Sequence, residues 1–463
     1  MKKALIIIFV IAAGGFAAFQ IAREGERMHA GEEAAARWVE SDSAAAIQSR
    51  LEADFPLSRE EVTALIRERH LEVTDADIDT FLARHYLEAK TFDGVQRFHR
   101  KSVRNLGLLN PAYNGGFKHR GASASEARIS YVDSVLGWYR GTNPRGLSHE
   151  VTYRFSIDVP YSEAIDGDTL RVWMPLPLDS SMCARQSGAE VIDATPAVYT
   201  LSGGRSVHNT VYFTAPAPAE GDTAHFEYVG RYVTSGAYVP AEGIAAAMKP
   251  YDKESENYRR YTRLPDGRHI IALDSLAAEI VGDETNPFRQ SELVYDYIIN
   301  RYPWAGAREY STIRCIPAYV LREGHGDCGQ VALLYISLMR TLGVPARWES
   351  GWMLHPGEVN LHDWAEVYFE GVGWLPVDIS FGRYTGSDDP EITGFYSHGI
   401  DSHRFATNKG VGGELYPAKK YVRSETVDFQ LGEVETNRGN LYYPAWSSEM
   451  EVINVTPIET AKK

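Results

Sequence analysis

The chain is poor in cysteine. Its 463 residues include only three, Cys183, Cys315 and Cys328, and these lie far apart. Structural zinc sites normally bring together two closely spaced pairs of ligands, often with several thiolates. The spacing therefore argues against a structural metal centre, and since no calcium loop or nucleotide motif stands out either, we expect no metal and no obligatory cofactor.

Positive charge is also in deficit. The chain has 47 Lys and Arg against 62 Asp and Glu, a formal net charge of −15. No basic stripe interrupts this balance, which argues against nucleic acid as a partner. With 44% hydrophobic residues and a mean hydropathy of −0.30, the composition is that of a soluble multidomain protein. Internal repeats and low-complexity segments are absent from the sequence.

Long apolar runs are missing except near the start. Lys2 and Lys3 precede an apolar run over residues 4–19, so residues 1–22 are predicted to be a signal peptide or an N-terminal membrane anchor. The first cysteine is Cys183, which argues against a lipoprotein anchor. We therefore expect an exported protein, periplasmic or associated with the cell envelope, with cleavage left open. In such a compartment Cys183 and Cys315 could pair, or both could remain buried thiols.

Changes in hydrophobic periodicity divide the rest of the chain. Residues 31–145 are predicted to be a helical region with a linker, because Ser58 and Thr74 each precede acidic first-turn residues. Alternating segments between turn residues predict a β-sandwich-like domain over residues 149–240. Residues 250–460 are predicted to form a catalytic core, and the strands expected within 421–455 are predicted to close its sheet.

Cys328 begins a strongly amphipathic helical pattern. Apolar residues recur after it at spacings of three and four, and Gly343 and Pro345 mark the end of the helix. A cysteine in the first turn faces unpaired backbone N–H groups and the positive end of the helix dipole. We therefore expect the thiol to have a lowered pKa, and the same N–H groups to hold the oxyanion of a tetrahedral intermediate.

Two strand patterns follow this helix and carry the partners of a thiol. His362 lies at the start of the strand over residues 361–370, and Asp378 lies near the end of the strand over 374–379, after a turn at Gly371-Val-Gly373. Antiparallel neighbours place such positions close together. Cys328, His362 and Asp378 can therefore form a thiol–imidazole–carboxylate triad.

These motifs resemble the transglutaminase-like core, a branch of the papain-like thiol enzymes. The similarity is carried by Gly-Asp-Cys328-Gly-Gln, Leu-Gly-Val-Pro-Ala-Arg347, His362-Asp-Trp-Ala-Glu-Val-Tyr and Gly-Trp-Leu-Pro-Val-Asp378, and extends over roughly residues 150–460. It implies an α+β fold, in which a helix bearing Cys328 packs on an antiparallel sheet. It also implies that Cys328 is the nucleophile, His362 the base and Asp378 the orienting acid.

Two further residues are candidates for binding substrate. By the same resemblance, Trp304 would complete the oxyanion site or line the acyl pocket, although a core or turn aromatic is the simpler interpretation. His325 is predicted to lie in a loop beside the cleft. A metal site is the alternative for these residues, because His325 and Cys328 are spaced His-x-x-Cys and His355 and His362 follow.

The predicted function is thiol-dependent hydrolysis of an amide through a thioacyl-enzyme. The expected substrates are a peptide, a cell-envelope peptide or a glycan-linked amide. One alternative is an acyl transferase that accepts an amine and cross-links proteins. The other is a non-catalytic protein that binds the envelope or a polysaccharide and keeps a relic core. An intact triad argues against this last alternative.

Overall fold

The structure is a computed structural model that describes residues 44–69, 72–110, 112–113, 122–142, 147–164, 167–265, 269–382, 389–443 and 445–458. The predicted signal or anchor segment, residues 1–22, lies outside these ranges. Among the residues described, no helix has the length and apolarity needed to cross a bilayer. Helices and antiparallel sheets are mixed along the chain, which confirms the α+β class.

The first part of the described chain is mainly helical. Its helices are α1 (Ala44–Asp54), α2 (Arg59–Arg67), α3 (Asp75–Ala83), α4 (Ser102–Leu109) and α5 (Ala122–Tyr139). Ser58 and Thr74 form the N-terminal capping boxes of α2 and α3, as their spacing to Glu61 and Asp77 predicts.

A hairpin also interrupts this region, formed by β1 (Ala89–Phe92) and β2 (Val95–Phe98). Its turn residues Asp93 and Gly94 both have positive φ, the conformation that Asp-Gly favours in two-residue hairpins. The purely helical expectation missed this hairpin because its strands are only four residues long.

Two antiparallel sheets form a sandwich in the middle of the molecule. One has the order β17-β3-β8-β5 and the other β16-β15-β4-β7-β6. Their strands are β3 (Ser148–Pro160), β4 (Thr169–Pro175), β5 (Gln186–Thr195), β6 (Thr200–Leu201), β7 (Thr210–Pro216), β8 (Thr223–Ser235), β15 (Glu433–Glu435), β16 (Asn440–Leu441) and β17 (Ser447–Ile458).

The C-terminal strands belong to this sandwich. β17 pairs with β3, and β15 pairs with β4, so the prediction that the 421–455 tail closes the core sheet is wrong. Alternation of apolar residues predicts a strand, but its partner is chosen by contacts distant in sequence. The edge position in the core sheet is taken instead by β14 (Arg404–Asn408), which pairs with β10 (Ala346–His355).

The core consists of helices on a four-stranded antiparallel sheet of order β12-β11-β10-β14. Helix α11 (Cys328–Thr341) packs on one face of this sheet, and its buried side chains share one apolar cluster with Ala365 and Val367 of β11 (Glu358–Phe369). The remaining elements are β9 (Ala237–Tyr238), α6 (Ala241–Ala247), α7 (Glu256–Tyr261), α8 (Asp274–Val281), α9 (Pro287–Arg301), α10 (Ile316–Glu323), β12 (Gly373–Val377), α12 (Pro390–Gly394) and β13 (Gly399–Ile400).

Candidate active site

Helix α11 begins at Cys328, as its sequence pattern predicts. Asp327 is the N-cap: its Oδ1 accepts from the backbone N–H of Gln330 at 3.0 Å, and Gln330 Oε1 accepts from the Asp327 N–H at 3.1 Å. The same Asp327 Oδ1 accepts from the hydroxyl of Tyr310 at 2.5 Å. This reciprocal cap fixes where the helix starts and therefore where the thiol lies.

Gly329 allows this helix start to approach the sheet. A Cβ at this position would lie 2.4 Å from the hydroxyl oxygen of Tyr310 and 2.5 Å from Asp363 Oδ2. Any side chain here would push α11 away from β11. The glycine next to the cysteine is therefore required by close packing.

His362 and Asp378 meet in the structure. The His362 Nε2 to Asp378 Oδ2 distance is 2.7 Å, and the two side chains are almost fully buried. Arg404 Nη1 lies 2.8 Å from the same carboxylate oxygen. Burial alone would raise the pKa of Asp378, but His362 and Arg404 outweigh it and hold that pKa below its usual value.

The imidazole is neutral near pH 7. Burial lowers the pKa of His362, and the attraction of Asp378 only partly offsets this. The pair is thus a neutral imidazole hydrogen-bonded to an ionised carboxylate, the arrangement that a general base requires.

The thiol has a different partner. Cys328 Sγ donates to Asp363 Oδ2 across 3.5 Å, and no hydrogen bond joins Cys328 to His362 among the residues described. Because side chains alternate along a strand, Asp363 faces α11 together with Ala365, whereas His362 points to the opposite face with Trp364. The structure therefore brings His362 to Asp378 and brings Cys328 to Asp363.

The pKa of the thiol is raised in this state. Burial raises the pKa of Cys328 well above its usual value, and the carboxyls of Asp363 and Asp327 raise it further. The expected lowering is wrong here because two acidic groups, one of them the N-cap itself, act against the field of the helix start. The resting group is a thiol rather than a thiolate.

A cavity of about 210 Å³ opens beside Cys328. Trp304 lines it, and the guanidinium of Arg104 lies 5.3 Å from the centre of a Trp304 ring. His325 is absent from the cavity wall: it packs edge-on against Tyr319 at 6.5 Å, and burial lowers its pKa to about 4. Of the two predicted binding residues, only Trp304 lines the cavity that also contains Cys328.

Sequence reasoning missed several residues of this cavity. Gln430 Nε2 lies 2.7 Å from Asp363 Oδ1, 2.8 Å from the Gly351 oxygen and 3.2 Å from the His362 oxygen, and so it fixes the carboxyl that holds the thiol. Asp363 could have been noticed, since it adjoins His362 and lies on the face of the strand opposite to it. Gln430, Glu425 and Asp428 gave no signal, because they follow the triad motifs by about 50 residues or more.

The residues of the rival metal interpretation are separated. His355 Nε2 lies 3.0 Å from Asp401 Oδ1, and His362 is engaged with Asp378. Within the described ranges, no group of three or more His, Cys, Asp or Glu side chains is arranged to hold an ion. Cys183 and Cys315 are separate free thiols, the first buried and the second half-buried.

Residues 274–379 match the family model of the transglutaminase-like superfamily. This region is a transglutaminase-like core. The match covers α8 through β12 and so contains Cys328, His362 and Asp378. It confirms the superfamily that the motifs resemble.

Similar proteins come from several bacteria. The uncharacterized protein YebA of Bacillus subtilis is 27% identical over 169 residues, which cover 29% of this chain and 22% of YebA. The chain thus spans less than a quarter of that relative. The crystal structure of a putative cysteine protease from Cytophaga hutchinsonii is 17% identical, with a TM-score of 0.45, over 68% of this chain and 92% of that one. The periplasmic domain of TgpA from Pseudomonas aeruginosa is 15% identical, with a TM-score of 0.27, over 56% of this chain and 94% of that one.

Proposed function

We propose that the protein hydrolyses amide bonds through a thioacyl-enzyme formed on Cys328. The observation that carries the proposal is the location of the thiol: at the start of α11, on an open cavity, in a transglutaminase-like core. His362 lies on the same strand as Asp363, the carboxyl that holds the thiol, and its partner Asp378 directly follows the neighbouring strand β12. The substrate would be a peptide, a cell-envelope peptide or a glycan-linked amide.

In this mechanism the sulfur of Cys328 attacks the amide carbonyl carbon. His362 takes the thiol proton and passes it to the departing amine, and water then cleaves the thioester. Asp378 engages Nε2 of His362, so Nδ1 is the nitrogen left for the thiol. First-turn N–H groups of α11 would receive the negative charge on the oxygen.

The hydrogen bond between Cys328 and Asp363 is the resting state in this scheme. The thiol must leave Asp363 before His362 can accept its proton, because the two acceptors lie on opposite faces of β11. Substrate entering the cavity would displace the thiol from the carboxyl. Formation of the active pair is thus proposed to follow binding.

Transfer to an amine is the second candidate function. It is favoured by the carboxyl-rich wall of the cavity, which suits a positively charged acceptor. Export is part of the proposal as well, and it rests on the basic and apolar pattern of residues 1–22.

Release of amine from a panel of peptide and glycopeptide amides tests the function. Cys328→Ala should lose at least about 10³-fold in rate, and His362→Ala nearly as much, because nucleophile and base act as a unit. Cys315→Ala removes another thiol outside the cavity and should keep the wild-type rate. Equal rates for wild type and Cys328→Ala would refute the proposal, and turnover only with an added amine would establish transfer.

A further inference from the structure

One wall of the cavity beside Cys328 is built from carboxyl groups. Asp327, Asp363, Glu425 and Asp428 all line it, although they come from three distant segments of the chain. All four are at least mostly buried, so water does little to screen their repulsion. Such a wall is stable only if each carboxyl is neutralised or satisfied.

Three of these carboxyls have hydrogen-bond donors within the protein. Asp327 accepts from Tyr310 and Gln330, and Asp363 accepts from Cys328 and Gln430. Glu425 accepts from the backbone N–H groups of Gln430 at 2.7 Å and Leu431 at 3.1 Å. These contacts explain their positions without any ligand.

Asp428 differs from the other three. The residue is 7% exposed, yet within the described chain no other residue donates a hydrogen bond to its carboxylate, and only its own N–H does. Arg423, the cation that lowers the pKa of Asp428, donates hydrogen bonds to Glu433, His208 and backbone oxygens, including that of Asp428. A buried carboxylate that lies on a cavity wall and has so few hydrogen-bond donors can accept from a donor on a bound ligand.

The basic residues of the cavity point elsewhere. Lys101 Nζ donates to the Ala307 oxygen at 2.6 Å. Arg104 stacks on Trp304, and Arg308 Nη1 lies 3.6 Å from Glu88. Lys101 still helps to lower the pKa of Asp327, but among the described residues no salt bridge joins any of these three cations to the four carboxyls.

We propose that Asp428, with Asp363 and Glu425, binds an ammonium group of the substrate beside the thiol. This inference rests on the proposed amide chemistry at Cys328 and names its substrate class. The substrate is an amide that carries a free primary amine near the bond attacked, either a lysine-like side chain or an amino terminus. A primary ammonium supplies one positive charge and three donors, which is what this wall lacks.

The titration of the wall agrees with this geometry. Burial raises the pKa of Asp428 to about 7, and the nearby carboxyls of Asp327 and Glu309 act in the same direction against Arg423. Such a raised pKa is expected for a buried carboxyl to which no ligand cation is bound. A bound ammonium group would favour the ionised form.

Charged thiol reagents test the subsite without requiring turnover. Cys328 should react at least about tenfold faster with 2-aminoethyl methanethiosulfonate than with the 2-sulfonatoethyl reagent, each rate being taken relative to that of a free cysteine derivative. Mass mapping in a Cys315→Ala background assigns the label. Asp428→Asn should lower this ratio about fivefold, whereas Asp222→Asn, on an exposed turn, should leave it unchanged.

A second experiment separates this inference from the proposed function. Paired peptide amides are compared that carry either a free or an acetylated lysine next to the cleaved bond. Faster release from the free-amine peptide supports the subsite. Hydrolysis at equal rates, together with equal reaction of both thiol reagents, overturns the subsite and leaves the hydrolase intact. A cationic reagent preference without hydrolysis supports the subsite and refutes the hydrolase. The ratio of the two reagent rates in the wild-type protein tests the ammonium subsite even if Asp428→Asn fails to fold.

Discussion

Cys328 and Asp363 determine the resting chemistry of the site. A thiol at a helix start is ordinarily acidified, but here burial and two neighbouring carboxyls raise its pKa. The alternation along β11 places Asp363, not His362, on the face turned toward α11. A shift of β11 by one residue would therefore exchange the two faces and place the imidazole of His362, rather than the carboxyl of Asp363, next to the thiol.

The raised pKa of Cys328 predicts slow alkylation at neutral pH. Because Cys328 has a higher pKa than a free thiol, it stays protonated to a higher pH. Its rate of reaction with iodoacetamide should therefore rise at a higher pH than the rate of a free cysteine derivative. Asp363→Asn removes a carboxyl that raises the pKa of Cys328 and should shift this profile to lower pH, while its amide oxygen can still accept from Gln430. Rate against pH, followed by mass mapping, is the measurement. A wild-type profile that rises earlier than that of free cysteine would contradict the assignment.

Sequence reasoning reached some residues of the site and not others. Cys328, His362 and Asp378 stand in motifs, so their types and elements were accessible from the sequence. The sequence also predicts that His362 and Asp363 lie on opposite faces of their strand. It does not predict which of these two faces packs against α11. Gln430 and Asp428 come from an irregular tail, where no periodicity relates a residue to its distant neighbours.

At the scale of the elements, β14 joins two histidine–aspartate pairs. Its Arg404 lies 2.8 Å from Asp378, the partner of His362, and 2.7 Å from Asp401, the partner of His355. All of these side chains are buried, and Arg404 helps to hold the pKa of both carboxyls low. β14 therefore supports the His362–Asp378 pair from the sheet edge.

Replacing this arginine should be costly. Arg404→Met leaves two buried carboxylates without their cation and should lower the free energy of unfolding by about 3–5 kcal/mol. Arg231→Met is the matched control, since Arg231 pairs with Glu190 on the exposed surface, where solvent screens the pair, and its loss should cost far less. Urea unfolding of both variants measures the difference.

The pH dependence of that difference has a fixed sign. Asp378 and Asp401 have lowered pKa values in the native protein, so the stability they contribute is present above their unfolded pKa and is lost as the pH falls through the native values. The gap between the Arg404→Met variant and wild type should narrow on acidification. A gap that widens would show that Arg404 does not act through these carboxylates.

The elements themselves were partly predictable. The spacing of apolar residues and Gly343 gave the extent of α11, and the capping residues gave the starts of α2 and α3. The role of β14 was not predicted, because five residues are too few to show a clear alternation of apolar side chains. Its partner β10 also lies about 50 residues away in the sequence.

Across the whole molecule, the tail connects the sandwich to the core. β17 completes the sheet that contains β3, and its Met450 shares one apolar cluster with Trp352 and Leu354 of the core strand β10. The predicted core over residues 250–460 included this tail, whereas its strands β15 and β17 pair with strands of the sandwich. Local patterns mark strands, whereas the packing of one sheet on another depends on surfaces that the sequence does not place together.

This connection predicts that sandwich and core unfold together. Met450→Ala should destabilise the protein by about 2–5 kcal/mol, since Met450 is buried between the sheets. Ile453→Ala, on the same strand at an exposed bulge position, removes an aliphatic side chain of similar size and should cost much less. Thermal unfolding followed by far-UV circular dichroism and by tryptophan fluorescence should shift equally for Met450→Ala, because one cooperative unit gives coincident transitions. Two separated transitions, with only one moved by the substitution, would instead mean that sandwich and core unfold independently despite sharing the tail strand.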